Sequence, residues 1–244
     1  SSQTPSDPLP SISFSASTTE VVIGNDAVLN WSSVNASTCS ASGAWLGSKA
    51  TSGSEIITIT EVGNFEFILS CSGDGGSRSA TVTIEGFRQT DGVVVDGYIS
   101  GSDVFIDENE NFVVDATENV TTSDNEGKFT IKYADGSLIS LGGTDLDSQT
   151  LLNNLLITHK MIGHSDFKAI TPVTSVAAFM QDASSANAAL GIDTSIDIFT
   201  FDPVANKGDS GINDYLYEKG NQLTVLAFAM QNIVNDLNAT NETT

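Results

Sequence analysis

Between Ser11 and Gly86 the sequence runs in short stretches of alternating apolar and polar residues, SISFSAS, EVVI, AVLNWSS, EIITIT, FEFILSC and SATVTI, punctuated by Gly, Ser and Asn. Alternation places every second side chain on one face of an extended chain, so each stretch buries one face and wets the other. Six or seven short strands in roughly 75 residues predict an all-β sandwich over residues 11–87. The preceding SSQTPSDPLP holds three of the five prolines and reads as an extended leader or linker, residues 1–10.

The strand pattern continues after GFRQTDG as GVVVDGYISGSDVFID and NVTTSDNEGKFTIKY, which predicts a second β module over residues 88–147. From about Ser148 the period lengthens towards 3.6 residues. In TPVTSVAAFMQDA, Thr171 stands as an N-cap and Pro172 at the first helical position, with Val173, Val176, Ala177 and Met180 on one stripe. TFDPVAN offers a second such start at Asp202 and Pro203. NQLTVLAFAMQNIVNDLNA carries a longer stripe from Leu223 to Leu237. The predicted fold class is therefore mainly β with C-terminal helices, the helical part of residues 148–244 packing on the second β module.

Between the two strands of that module lies DENENFVVDATE. Asp107, Asn109, Asn111, Asp115 and Glu118 occupy positions 1, 3, 5, 9 and 12 of a twelve-residue loop, and Val113 offers its carbonyl at position 7. Calcium is a hard cation that takes 6 to 8 oxygens in flexible geometry, and this spacing supplies them from one folded segment. Five acidic residues fall within the loop, which contains no Lys or Arg. Position 6, where such loops turn on a glycine, is Phe112. A left-handed backbone there costs a bulky residue on the order of 1 kcal/mol or more. The expectation is a wider loop with irregular coordination, its Phe112 ring packed on the helical part. A solvated acidic hairpin is the competing reading.

Charge narrows the partners. With 31 acidic and 9 basic residues the net charge is −22, which repels nucleic-acid phosphates and suits divalent cations. No apolar run reaches the roughly 20 residues that span a bilayer, so no membrane insertion is expected. Two cysteines, Cys39 and Cys71, lie among Ser, Thr, Gly and Asn, a flavour of secreted proteins that favours a disulfide over two buried thiols.

Catalytic motifs are weak. GDSG around Ser210 sits in a region that reads as helical, without the upstream constellation a serine protease needs. His159 and His164 are five apart, which is not a zinc spacing, and Asp166 adds little; both histidines read as polar loop residues.

LNWSSVNASTCSASGAW and FEFILSCSG resemble the immunoglobulin-like domains of bacterial surface proteins. The resemblance implies that Trp31 is a core aromatic, that Cys39 bridges Cys71 near the end of a central strand, and that Asn64–Cys71 forms the strand beside it. Trp31 precedes both cysteines instead of falling between them as in antibody domains, so the likeness is architectural. The second β region resembles prealbumin-like repeats and the calcium-binding B repeats of serine-aspartate-repeat adhesins. Those combine a strand, an acidic loop and a hairpin, here carried by Thr122, Asp124, Gly127 and Phe129. The segment from GGTD to QLTVLAFAMQNIVNDL resembles the helical portion that follows such repeats in large bacterial surface proteins.

Together these features imply a non-enzymatic extracellular structural or adhesive module of a bacterial surface or fibre-forming protein, rigidified by calcium. Its implied partners are other copies of itself or neighbouring surface domains. The alternative is a carbohydrate- or ligand-binding module of a secreted protein, with Trp45, in SGAWLGS, exposed enough to stack on a sugar.

Overall fold

The computed structural model describes residues 7–152, 156–160, 169–180, 183–205, 211–212 and 214–226, with backbone only at 150 and 156–160. The described residues are mainly β, in several sheets with no barrel among them, and the chain falls into two compact units, Ser1–Arg88 and Gln89–Thr244.

The first unit contains β1 (Ser11–Ala16), β2 (Glu20–Val22), β3 (Asp26–Val34), β4 (Thr38–Gly43), β5 (Gly47–Lys49), β6 (Ser52–Thr58), β7 (Gly63–Gly73) and β8 (Gly76–Phe87). They form two sheets, ordered β1-β3-β6 and β2-β8-β7-β4-β5. Alternation delivers the core as expected. Ala27, Leu29 and Trp31 point inward from β3, and Phe67, Leu69 and Cys71 from β7, into one shared apolar cluster. Phe67 and Leu69 are almost wholly enclosed, so each contributes roughly 2–3 kcal/mol of burial.

Cys39 and Cys71 face each other in the β4–β7 register and are disulfide-bonded. The bridge therefore ties neighbouring strands of one sheet. It closes a separation of 32 residues, for which the loss of denatured-state entropy amounts to about 3–4 kcal/mol. Reduction should lower the urea midpoint of the first unit correspondingly, and a Cys39→Ala/Cys71→Ala chain should show the same loss. Unchanged midpoints on reduction would remove the disulfide from the account of its stability.

The second unit contains β9 (Gln89–Val94), β10 (Ile99–Ser100), β11 (Asp103–Asp107), β12 (Val120–Thr122), β13 (Lys128–Lys132), β14 (Ser137–Leu141), β15 (Thr144–Asp145), β16 (Thr150–Leu151), β17 (Leu156–Lys160) and β18 (Ala169–Ile170). Its sheets are ordered β12-β11-β14-β17, β13-β9-β18 and β10-β15-β16. Strands thus continue beyond residue 148, where the sequence pattern begins its helical part. Gly127, at φ +73°, makes the expected tight turn, and its N–H donates to the Asp124 carbonyl at 3.0 Å. The strands on either side nevertheless part company: β12 pairs with β11, whereas β13 pairs with β9. Burial accounts for the split, since Phe129 and Ile131 of β13 enter the core with Val94.

Helix α1 (Pro172–Met180) begins where predicted. Thr171 Oγ1 accepts the N–H of Thr174 at 3.0 Å, and Thr174 Oγ1 accepts the N–H of Thr171 at 2.9 Å, a reciprocal cap. Helix α2 (Ala183–Leu190) follows, and residues 214–226 are also helical. Asp202 Oδ1 accepts the N–H groups of Val204 and Ala205, which caps a turn where the sequence reads as a helix start; the residues that follow, 206–210, lie outside those described. Val173, Ala177, Ala186, Ile198 and Leu216 form the apolar cluster of this helical part.

Candidate calcium loop

Strand β11 delivers the acidic loop. Val104, Phe105 and Ile106 are completely buried, and Asp107, the last residue of the strand, is buried with them. A carboxylate so enclosed needs donors for its oxygens. It finds them in the loop: the N–H of Asn111 donates to Oδ1 at 3.2 Å, and that of Phe112 to Oδ2 at 2.8 Å.

These two bonds fold the loop back over its first residue. Phe112 adopts φ +61° and Glu110 φ +58°. The loop therefore takes the tight left-handed turn at its sixth position; it does not widen, which corrects the expectation from the sequence. Asp107 holds the turn through the Phe112 N–H, and the Phe112 ring stacks on Phe179 of α1, centroids 6.3 Å apart at 24°. These contacts offset the backbone strain.

Further bonds order the remaining positions. Asn109 Oδ1 accepts the N–H of Asn111 at 3.1 Å, and Asn111 Oδ1 that of Val113 at 2.7 Å. Glu118 clasps the two ends, its Oε1 accepting the Glu108 N–H at 3.1 Å and its Oε2 the Asp115 N–H at 2.9 Å. Asp115 Oδ2 accepts both side-chain amides, from Asn109 at 2.6 Å and Asn111 at 2.9 Å.

The residues fit calcium in kind and in order, all hard oxygen donors on one sharply turned segment. Their side chains are engaged with N–H groups, however. Among the described residues no three His, Cys, Asp or Glu side chains are grouped to hold a metal ion. Binding would require Asp115 and Glu118 to exchange these donors for the cation.

No known protein family and no curated protein matches this chain.

Trp45 is not a stacking platform. It is 5% exposed, lies parallel to Phe14 with centroids 5.5 Å apart, and meets Trp31 edge-on at 5.4 Å. Its indole N–H donates to the Ile68 carbonyl at 3.2 Å, and Lys49 Nζ lies 4.5 Å from the ring centroid. Leu46 is the residue the turn leaves outside, 76% exposed. Only one of two adjacent apolar residues in a tight turn can point inward, and the sequence does not say which. His159 belongs to β17, its backbone paired with Leu138; His164, Asp166 and Ser210 lie outside the described residues.

A second buried carboxylate carried no sequence signal. Asp96 follows β9 in the run VVVDG, where nothing distinguishes it from a turn aspartate. Burial pushes its carboxyl up from the ordinary value of 3.8; the Thr224 hydroxyl bonded to it opposes this, and the charge of Asp145 adds to it. A carboxyl raised in the folded state costs stability when ionised, and the cost fades as pH falls towards the unfolded value. In urea titrations from about pH 8 down to about pH 4, Asp96→Asn should differ most from the wild type at the alkaline end and converge with it towards the acid end. A difference independent of pH would contradict the assignment.

Proposed function

We propose that the chain is a non-enzymatic extracellular segment of a bacterial surface or fibre-forming protein, with an immunoglobulin-like first unit and a prealbumin-like second unit stiffened by calcium at the acidic loop. The observation that carries the reading is Asp107. This carboxylate, enclosed at the end of a core strand, holds Phe112 in the turn that a twelve-residue calcium loop requires. Asp107, Asn109, Asn111, Asp115 and Glu118 would hold the ion with the carbonyl of Val113. The ion would supply the positive charge that five neighbouring acids lack within their own sequence. The disulfide accords with an oxidising compartment.

The role of such an ion is mechanical. Binding to the folded unit alone stabilises it by about 2.7 kcal/mol at a free concentration a hundred times Kd. Thermal unfolding with calcium, with magnesium and with chelator tests this directly. A calcium-specific rise in the second transition is expected; identical curves on chelation would remove calcium from the proposal.

Contact with other copies would use strand edges. β6 ends its sheet and exposes Ile56, and β5 ends the other. Light scattering across a concentration series should show self-association, and a monomer at every concentration would exclude it.

A further inference from the structure

The turn at Gly127 closes one rung of a hairpin and no more. Asp124 donates its N–H to the Lys128 carbonyl at 2.9 Å, and its Oδ1 accepts the Lys128 N–H at 2.9 Å. In an antiparallel ladder the hydrogen-bonded pairs recur at every second residue, so the next rung would join Thr122 to Thr130. That rung is not made, because β12 runs with β11 and β13 with β9.

Each strand therefore leaves an edge open. The N–H of Ile106 donates to the Asn119 carbonyl and that of Ser123 to the Ser102 carbonyl, which sets the parity of the β11–β12 ladder. The backbone N–H and C=O of Thr122 accordingly point away from β11. The N–H of Val94 donates to the Gly127 carbonyl, and by the same parity the backbone groups of Thr130 point away from β9. An open groove of about 690 Å³ lies where the two strands part, lined by Thr121 and Thr122 from β12, by Phe129 and Thr130 from β13, and by Val93 and Tyr98. Its volume falls within the range of ligand sites, and unfilled strand edges take up extended chain.

The groove is acidic. Asp91, Asp124 and Asp202 stand along it, and none is ion-paired among the described residues. Lys128 also lines it, but its ammonium is bonded to Glu126. Burial first, then the charge and hydrogen bond of Asp202, then the charges of Glu126 and Asp147, push the Tyr98 hydroxyl up to about 12, so the negative potential extends to the wall. A second copy of this chain, itself at −22, is repelled by such a groove, whereas a basic segment is drawn to it.

We propose that the groove takes an extended basic segment of another protein, which adds as a strand to the edge of β12 at Thr122 and sets Lys or Arg side chains against Asp91, Asp124 and Asp202. The edge supplies backbone hydrogen bonds of any sequence, and the carboxylates select for charge. The site uses neither the acidic loop nor the edges of β5 and β6, so it stands whether or not calcium binds.

The test uses the whole chain in chelator, which keeps calcium out of every outcome. The probes are a capped peptide alternating Lys and Thr, the same peptide with Glu in place of Lys, the Lys peptide fully N-methylated so that it keeps its charge and loses its backbone donors, and spermine. Saturable amide NMR shifts at Thr122 and Thr130 are expected with the Lys peptide, with slowed hydrogen exchange at Thr122 and weaker binding as sodium chloride rises. Both control peptides should bind at least about tenfold more weakly. Asp91→Lys, a charge reversal at an exposed position, should weaken the Lys peptide by a similar factor. Thr122→Pro, which removes a donor from an edge strand that tolerates proline, should do the same. No saturable shift, equal binding of spermine or of either control peptide, or unchanged binding by Asp91→Lys would each overturn the proposal. Protection of Thr122 that grows with protein concentration in the absence of peptide would overturn it too, by assigning the edge to a second copy.

Discussion

Trp45→Ala should destabilise the first unit by about 3–5 kcal/mol, the cost of deleting a large enclosed aromatic from a packed core. The indole touches Phe14, Trp31 and Phe67, and its N–H satisfies the carbonyl of Ile68. Removal therefore opens a cavity among three rings and deletes the hydrogen bond to the half-buried Ile68 carbonyl. Trp45→Phe should lie between, since it keeps apolar volume and forfeits the hydrogen bond. The measurement is direct because both tryptophans fall in the first unit and all four tyrosines in the second. Fluorescence of the remaining Trp31 follows one transition and the tyrosine signal the other. A lower urea midpoint in the tryptophan signal, with the tyrosine transition unmoved, is expected. A surface residue that stacks on sugar would leave both midpoints in place, and that outcome would contradict the packing of Trp45 against Phe14, Trp31 and Phe67.

Asp107→Ala carries the second large effect. In chelator it should cost the second unit about 2–4 kcal/mol, because two backbone N–H groups lose a charged acceptor and the turn at Phe112 loses its anchor. In calcium the same substitution should also erase the stabilisation seen in the wild type. Phe112→Gly provides the opposite control. It relieves a strain on the order of 1 kcal/mol at φ +61° and gives up the stack on Phe179, so its stability should change little while the calcium response persists. If Asp107→Ala retained the full calcium response, the loop would not be the binding site.

Particular residues show how far the sequence could be read. Leu29 and Trp31 announced their inward face through two-residue alternation, and Thr171 announced the start of α1 through cap chemistry. Both signals are local, since pleat period and the satisfaction of terminal N–H groups depend on neighbours along the chain. The order of oxygens from Asp107 to Glu118 was legible for the same reason. Phe112 was not, because its left-handed conformation depends on the burial of Asp107 and on a ring supplied by a helix 67 positions later.

Partner choice was equally hidden. The turn at Gly127 was visible, yet β12 and β13 separate into different sheets because burial of Phe129 and Ile131 prevails over hairpin pairing. β17 pairs with β14 within a segment whose flanks read as helical. Trp45 and Asp96 went inward from stretches rich in glycine that resemble surface turns. The sequence by itself determined the β character, the disulfide candidates, the helix start at Thr171 and the composition of the acidic loop. Only the tertiary structure decided which strands pair, which of two adjacent turn residues is buried, and which carboxylates are enclosed. Local propensity and period are properties of contiguous residues, whereas burial and hydrogen-bond satisfaction are settled by whatever the rest of the chain brings alongside.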